Sequence, residues 1–141
     1  MVTRARTAVS ALVATVALTA CQVEPKLLSA QAQQSGDTVN VEVAIPSEDA
    51  ATIKRRELYT YVRVGDCERM EDGYPAEAHV DGAPVSRFSF RTEGPTVKMS
   101  GAIPAHIFEN YQAPCASLEG GGYGTGTLVS VPIPVKIGPG H

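Results

Sequence analysis

Apolar and polar residues alternate along several short stretches of this chain, which is the pattern of β-strands with one buried face. The two clearest stretches are residues 38–45 and 58–64, both rich in β-branched or aromatic residues. Pro-Ser-Glu-Asp at 46–49 predicts that the first strand ends there. The side chains predicted to face the core from these two strands are Val39, Val41, Val43, Ile45, Leu58, Thr60, Val62 and Val64.

Shorter stretches with the same alternation predict further strands. Asp81-Gly82 is a tight-turn signal of a hairpin, and residues 104–111 are the one helical candidate. Val85 is out of phase with Phe88 and Phe90, which indicates a bulge or a later strand start. These further strands are predicted at residues 76–80, 85–91, 96–101, 115–118 and 127–137.

The first 21 residues carry a different signal. Arg4 and Arg6 precede an apolar run at 8–18, and the segment ends in Leu18-Thr19-Ala20-Cys21. The run is shorter than the ~20 residues that a membrane-spanning helix needs, and its charged start and small-residue end are typical of a secretory signal. This segment resembles the signal peptide and lipobox of bacterial lipoproteins.

The resemblance implies that residues 1–20 are removed and that Cys21 becomes the lipidated N-terminus. Gln22 follows the cysteine where an aspartate would favour the inner membrane, so the resemblance implies an outer-membrane anchor facing the periplasm. Residues 22–36 are rich in Gln, Ser and Ala without a sustained period. They predict a flexible tether, with a short helix at 26–34 as the alternative.

Once Cys21 is assigned to lipid, Cys67 and Cys115 remain as an even pair. In an exported protein such a pair usually forms a disulfide, which here closes a loop of about 49 residues. The alternative is a reactive or metal-binding thiol, but no Cys-x-x-Cys spacing supports it.

About seven short strands, one helical turn and a disulfide predict an all-β fold, a small immunoglobulin-like β-sandwich. A small closed β-barrel is the alternative. The expected organisation is a signal peptide at 1–20, the lipidated cysteine and tether at 21–36, and a single β-domain at 37–141.

The charge balance excludes some partners. The twelve Lys and Arg less Arg4 and Arg6 leave ten against fifteen Asp and Glu, a formal charge of −5 after removal of the signal. An acidic domain argues against nucleic-acid binding, which needs a basic face. Lys54-Arg55-Arg56 is a basic spot, interpreted as a turn before the second strand and a local contact for an acidic partner.

The glycine-rich stretch 119–126 leads into a predicted strand and not into a helix, so it does not have the setting of a phosphate-binding loop. It predicts a flexible hairpin loop. Tyr123 at its tip, with Glu119 and Gly122, is the candidate partner-binding site, because aromatic residues on loops often make contacts.

No catalytic, metal or cofactor site is predicted. Glu77, His79 and Asp81 share one face of a strand, which is more typical of a solvated edge than of a metal site. His106 and His141 have no partner at ligand spacing.

The hypothesis that follows is a periplasmic protein-binding module on a lipid anchor, in its most specific form an inhibitor or immunity protein. The alternatives are a structural accessory of an envelope or secretion assembly and, third, an enzyme or small-ligand carrier.

Overall fold

The computed structural model describes residues 22–139, so the predicted signal peptide, Cys21 and His141 lie outside the described residues. Two sheets contain nearly all the regular structure, with helices α1 (Ser47–Arg56) and α2 (Ala105–Phe108) and single 3-10 turns at Met70–Asp72 and Val85–Arg87. The strands are β1 (Gln22–Val23), β2 (Ser29–Ser35), β3 (Thr38–Pro46), β4 (Tyr59–Asp66), β5 (Tyr74–Glu77), β6 (His79–Val80), β7 (Ala83–Pro84), β8 (Thr96–Pro104), β9 (Pro114–Gly122), β10 (Gly126–Val129), β11 (Ile133–Pro134) and β12 (Lys136–Ile137).

Sheet A has the strand order β1-β10-β9-β4-β5, with β11 also paired to β9, and sheet B has the order β12-β2-β3-β8-β6-β7. The pairs β1–β10 and β12–β2 are parallel, and the other pairs are antiparallel. The predicted all-β sandwich is confirmed, and neither sheet closes into a barrel within the described residues.

The core lies between the sheets and follows the alternation of the sequence. All eight side chains predicted to face inward from the first two strands are buried. Gly101 of β8 lets the sheets approach closely, because a Cβ there would lie 2.7 Å from the Cβ of Ala76. Each fully buried valine, leucine or isoleucine contributes about 1.5–3 kcal/mol relative to its exposed state, so this core is the main source of stability.

The tether predicted over residues 21–36 is wrong for the part that the structure describes. Strand β2 pairs with β3 from Ser29↔Ala44 to Ser35↔Thr38, and β1 pairs with β10. Ala30 and Ala32 alternate with polar residues and are buried in the core. Their side chains are too small to give a strong hydrophobic signal, which is why the pattern was weak.

Helix α1 was not predicted, and the turn expected at Lys54-Arg55-Arg56 is its last turn. Glu48 and Asp49 occupy the first turn, so the charges at both ends complement the helix dipole. The helix ends at Glu57, which adopts a left-handed conformation (φ 52°). Only Ala50 and Ile53 of the helix are buried, so its apolar stripe is short.

The strand predicted at 85–91 is also wrong. A 3-10 turn at Val85–Arg87 ends in left-handed Phe88 (φ 52°), and this turn accounts for the slip in phase. The apolar pattern would place Val85, Phe88 and Phe90 in the core: Val85 and Phe90 are buried, whereas Phe88 is half-buried.

The other predicted elements are confirmed in place but altered in length. Asp81-Gly82 forms the turn between β6 and β7, and both residues have positive φ. The predicted helix is reduced to α2. The closing strand predicted at 127–137 is divided into β10, β11 and β12, with Pro132 in the gap after β10.

Candidate recognition surface

The outer face of sheet A carries exposed aromatic side chains. Tyr59 and Tyr61 point outward from β4 and are 45% and 40% exposed, as the alternation of this strand predicts. Tyr123, in the turn between β9 and β10, is 97% exposed. Large apolar rings in water are unfavourable on their own and are enriched where proteins contact one another, so this face is the candidate site.

Tyr59 and Tyr123 border one open depression of about 260 Å³, which we call the tyrosine groove. The pairing register places Gly121 between Tyr59 and Thr127, so a glycine forms part of its floor. The residues that line the tyrosine groove are Tyr59, Gly121, Gly122, Tyr123, Gly126 and Thr127.

The glycines at 120 and 122 have a structural role. A Cβ at Gly120 would lie 1.7 Å from the carbonyl oxygen of Tyr59, and a Cβ at Gly122 would lie 3.0 Å from that of Glu57. Both glycines belong to β9, so the flexible loop predicted for 119–126 is confined to the turn at 123–125. Tyr123 is therefore held in a short turn between two paired strands, β9 and β10.

Glu119 lies two ladder positions away from the tyrosine groove, opposite Tyr61 and Val129. Its carboxylate forms an ion pair with Arg63, and this hydrogen bond raises the pKa of the Arg63 guanidinium. Arg63 also donates to the Gly73 carbonyl at 2.9 Å, which fixes its side chain. The structure thus brings Gly122 and Tyr123 together, whereas Glu119 is already engaged within the fold.

The sequence did not single out Tyr59 as a site residue, although its outward position was predicted. Its ring packs edge-to-face on Phe88, with centroids 5.8 Å apart, which restrains it at the rim of the groove. This contact depends on the 3-10 turn at Val85–Arg87, which was not predicted. The sequence therefore indicated only that Tyr59 faces outward from β4.

The predicted disulfide is confirmed and lies at the opposite end of β4. Cys67 and Cys115 are bonded, with their Cα atoms 4.9 Å apart. The neighbouring Asp66 accepts hydrogen bonds from the backbone amides of Gln112 and Ala113 at 2.9 and 3.1 Å. This end of the sheet is fixed covalently and by hydrogen bonds.

A second depression, of about 380 Å³, lies on the outer face of sheet B beside β12. It is lined mainly by polar side chains, including Gln31, Gln33, Asn40 and Glu42, and no aromatic residue borders it. Because aromatic anchors dominate binding energy at protein interfaces, the tyrosine groove is the stronger candidate.

The histidines form no joint site in the described part of the chain. His79 Nδ1 lies 3.0 Å from the carbonyl oxygen of Glu77, whose carboxylate accepts a hydrogen bond from Ser86 at 3.3 Å. Among residues 22–139, no group of three His, Cys, Asp or Glu residues is arranged to hold a metal ion. None of the helices in this range is long and apolar enough to cross a membrane.

Comparison of the chain with protein-family models, with curated proteins and with solved structures found no match in any of the three. The function is therefore argued from the chemistry of the surface itself.

Proposed function

We propose that this protein is a lipoprotein of the outer membrane, anchored through Cys21, whose periplasmic β-sandwich binds another protein through the tyrosine groove. The observation that supports the proposal most directly is Tyr123, 97% exposed at the end of a paired hairpin and beside the exposed ring of Tyr59. Tyrosine supplies a large contact area at low entropic cost, and its hydroxyl remains available for a hydrogen bond.

The shape of the site favours an inhibitor or immunity protein as the specific form. Tyr123 is 97% exposed in the turn at 123–125, at the rim of the tyrosine groove. A projecting side chain on a rigid scaffold suits insertion into a concave partner, such as the cleft of an enzyme or toxin.

The anchor is tested by Cys21→Ser. The lipid is the proposed attachment, because several acyl chains hold a protein stably while a single chain binds reversibly. The variant is expected in the soluble periplasmic fraction and the wild type in the outer-membrane fraction. A Cys21→Ser protein that stays with membranes after a salt wash contradicts the lipoprotein proposal.

The binding function is tested by affinity capture from an envelope extract, followed by titration with the captured partner. Replacing Tyr59 and Tyr123 together with alanine is expected to weaken binding by more than about 1 kcal/mol, about fivefold, in protein that circular dichroism shows to be folded at the temperature of the titration. The matched control is Ile137→Ala, which removes an exposed apolar side chain from sheet B. Equal affinities of the double variant and the control would rule out the tyrosine groove as the interface.

A further inference from the structure

Four arginines lie on two chain segments that meet near the end of the molecule that carries the tyrosine groove. Arg55 and Arg56 end helix α1, Arg87 ends the 3-10 turn after β7, and Arg91 lies in the irregular segment that follows this turn. Lys54 connects the two segments, because its Nζ donates to the carbonyl of Phe90 at 2.9 Å and lies 5.9 Å from that ring's centroid. We call Arg55, Arg56, Arg87 and Arg91 the arginine cluster.

Two members of the arginine cluster are next in sequence to residues that contact the tyrosine groove. Arg87 is adjacent in sequence to Phe88, whose ring packs on Tyr59. Arg56 is adjacent to Glu57, whose carbonyl lies against Gly122 in the groove floor. A partner seated on the tyrosines therefore comes within reach of the guanidinium groups.

No carboxylate in the described part of the chain pairs with the arginine cluster. Across residues 22–139, the ion pairs closer than 4 Å are Arg63–Glu119 and Lys98–Glu42. Glu57 and Glu93 are near the cluster in sequence, but neither pairs with an arginine. Arg55, Arg87 and Arg91 are exposed, and Arg56 is half-buried.

Concentrating unpaired positive charge is unusual in a domain whose formal charge is −5. Guanidinium groups bind carboxylates with two parallel hydrogen bonds, and charge complementarity of this kind guides partners into register. The chemistry of the cluster therefore matches an anionic group placed next to an apolar contact.

We propose, on the basis of the protein-binding function, that the partner presents an acidic polypeptide segment to the arginine cluster while its neighbouring surface covers Tyr59 and Tyr123. An anionic membrane fits less well, because the excess of carboxylates over the rest of the domain opposes its approach to a charged bilayer. An acidic peptide segment is small enough to contact the arginine cluster without approaching the carboxylates of the rest of the domain.

The test uses purified full-length protein in neutral detergent and a fluorescent peptide in which one tyrosine is flanked by eight glutamates. The comparison peptide has glutamine in place of each glutamate. Binding is measured by anisotropy for the wild type and for a variant with arginine-to-glutamine changes at Arg55, Arg56, Arg87 and Arg91. The matched control removes four positive charges elsewhere, with glutamine in place of Lys26, Arg69, Lys98 and Lys136.

The expected result is that the wild type binds the glutamate peptide at least tenfold more tightly than the glutamine peptide. The cluster variant is expected to lose at least fivefold in affinity for the glutamate peptide, and the control less than twofold. Equal losses in the two variants, or no preference for glutamate, overturn the inference. Displacement of the peptide by phosphatidylglycerol in the micelles, at equal charge concentration, also overturns it in favour of a lipid ligand.

These outcomes are separable from the proposed function. If the captured partner is lost on changing Tyr59 and Tyr123 but retained by the cluster variant, the protein-binding function stands and the acidic segment is refuted. If no partner is captured but the wild type still prefers the glutamate peptide, the preference of the arginine cluster for acidic peptides stands and the protein-binding function is refuted.

Discussion

At the scale of single residues, the glycines of β9 determine how the strand that supports the candidate site is paired. Gly120 has no room for a side chain, because a Cβ would overlap the carbonyl oxygen of Tyr59 at 1.7 Å. The density of glycine in this stretch therefore reflects close backbone packing, and it is not by itself a sign of a mobile binding loop.

The first prediction follows from this contact. Gly120→Ala is expected to lower the free energy of unfolding by more than about 2 kcal/mol, because the backbone of β4 or β9 must shift. Gly138→Ala is the control, since a Cβ there meets only one atom, at 3.4 Å. Urea denaturation measures both. Similar midpoints for the two variants would mean that β9 adapts to the side chain without cost.

Tyr111 provides a residue-scale prediction about pH. Burial raises the pKa of its hydroxyl above the ordinary value of 10.0, and the negative charge of Asp66 acts in the same direction, whereas a backbone hydrogen bond at Tyr74 and the charge of Arg63 lower it. The folded state thus disfavours the ionised form. Its contribution to stability is complete below the unfolded pKa and is lost as the pH rises through the raised folded value.

Wild-type protein is therefore expected to lose melting temperature as the pH rises above the ordinary tyrosine pKa of 10.0, and Tyr111→Phe to lose less. The phenylalanine keeps the edge-to-face contact with Phe108, whose ring centroid lies 6.3 Å away. Melting curves by circular dichroism, taken from pH 8 upward, give the comparison. Parallel pH profiles would show that Tyr111 does not contribute to the alkaline transition.

At the scale of elements, the sequence predicts those strands whose inward positions hold large apolar side chains. β3 and β4 were predicted nearly to their ends, because valine and isoleucine alternate with polar residues in them. β2 was missed because only alanine marks its inner face, and α1 because only Ala50 and Ile53 are buried. Segments with such weak apolar patterns form a strand or a helix only when a neighbouring element packs against them.

The candidate site was predictable to the same limited degree. Tyr123 was identified from its place in a glycine-rich turn. The juxtaposition of Tyr59 with the hairpin depends on the pairing Tyr59↔Gly121, which joins residues about 60 positions apart. Pairings at such separations depend on the tertiary fold and are not encoded in a local pattern.

Strand β2 gives the element-scale prediction. A chain that begins at Asp37 lacks β1 and β2 and exposes the edge of β3, which pairs with β2 over seven residues. It is expected to lose cooperative unfolding and to aggregate, because Ala30 and Ala32 no longer cover the core and the edge is open. A chain that begins at Gln22 is the control. A cooperative thermal transition in both chains would restore the interpretation of these residues as a tether.

At the scale of the whole molecule, β4 separates two ends with different roles. The tyrosine groove and the arginine cluster lie near Tyr59, and the disulfide lies beyond Asp66 at the other end, roughly 24 Å along the strand. The crosslink and the proposed recognition site are thus spatially separated. Changes at one end are expected to leave the other end intact while the fold persists.

The disulfide gives the last prediction. Replacing Cys67 and Cys115 together with alanine is expected to lower the free energy of unfolding by about 2–5 kcal/mol, because an open chain of this loop length has more conformations available when unfolded. Strands β4 and β9 remain paired from Tyr59↔Gly121 to Asp66↔Pro114, so the double variant is expected to fold in the cold with the tyrosine groove preserved. Urea titration at low temperature measures the loss, and titration with the captured partner measures affinity in the same samples. An unchanged urea midpoint would show that the sheet pairing alone fixes this end of the molecule, and a parallel loss of affinity by the fully folded variant would show that the two ends are coupled.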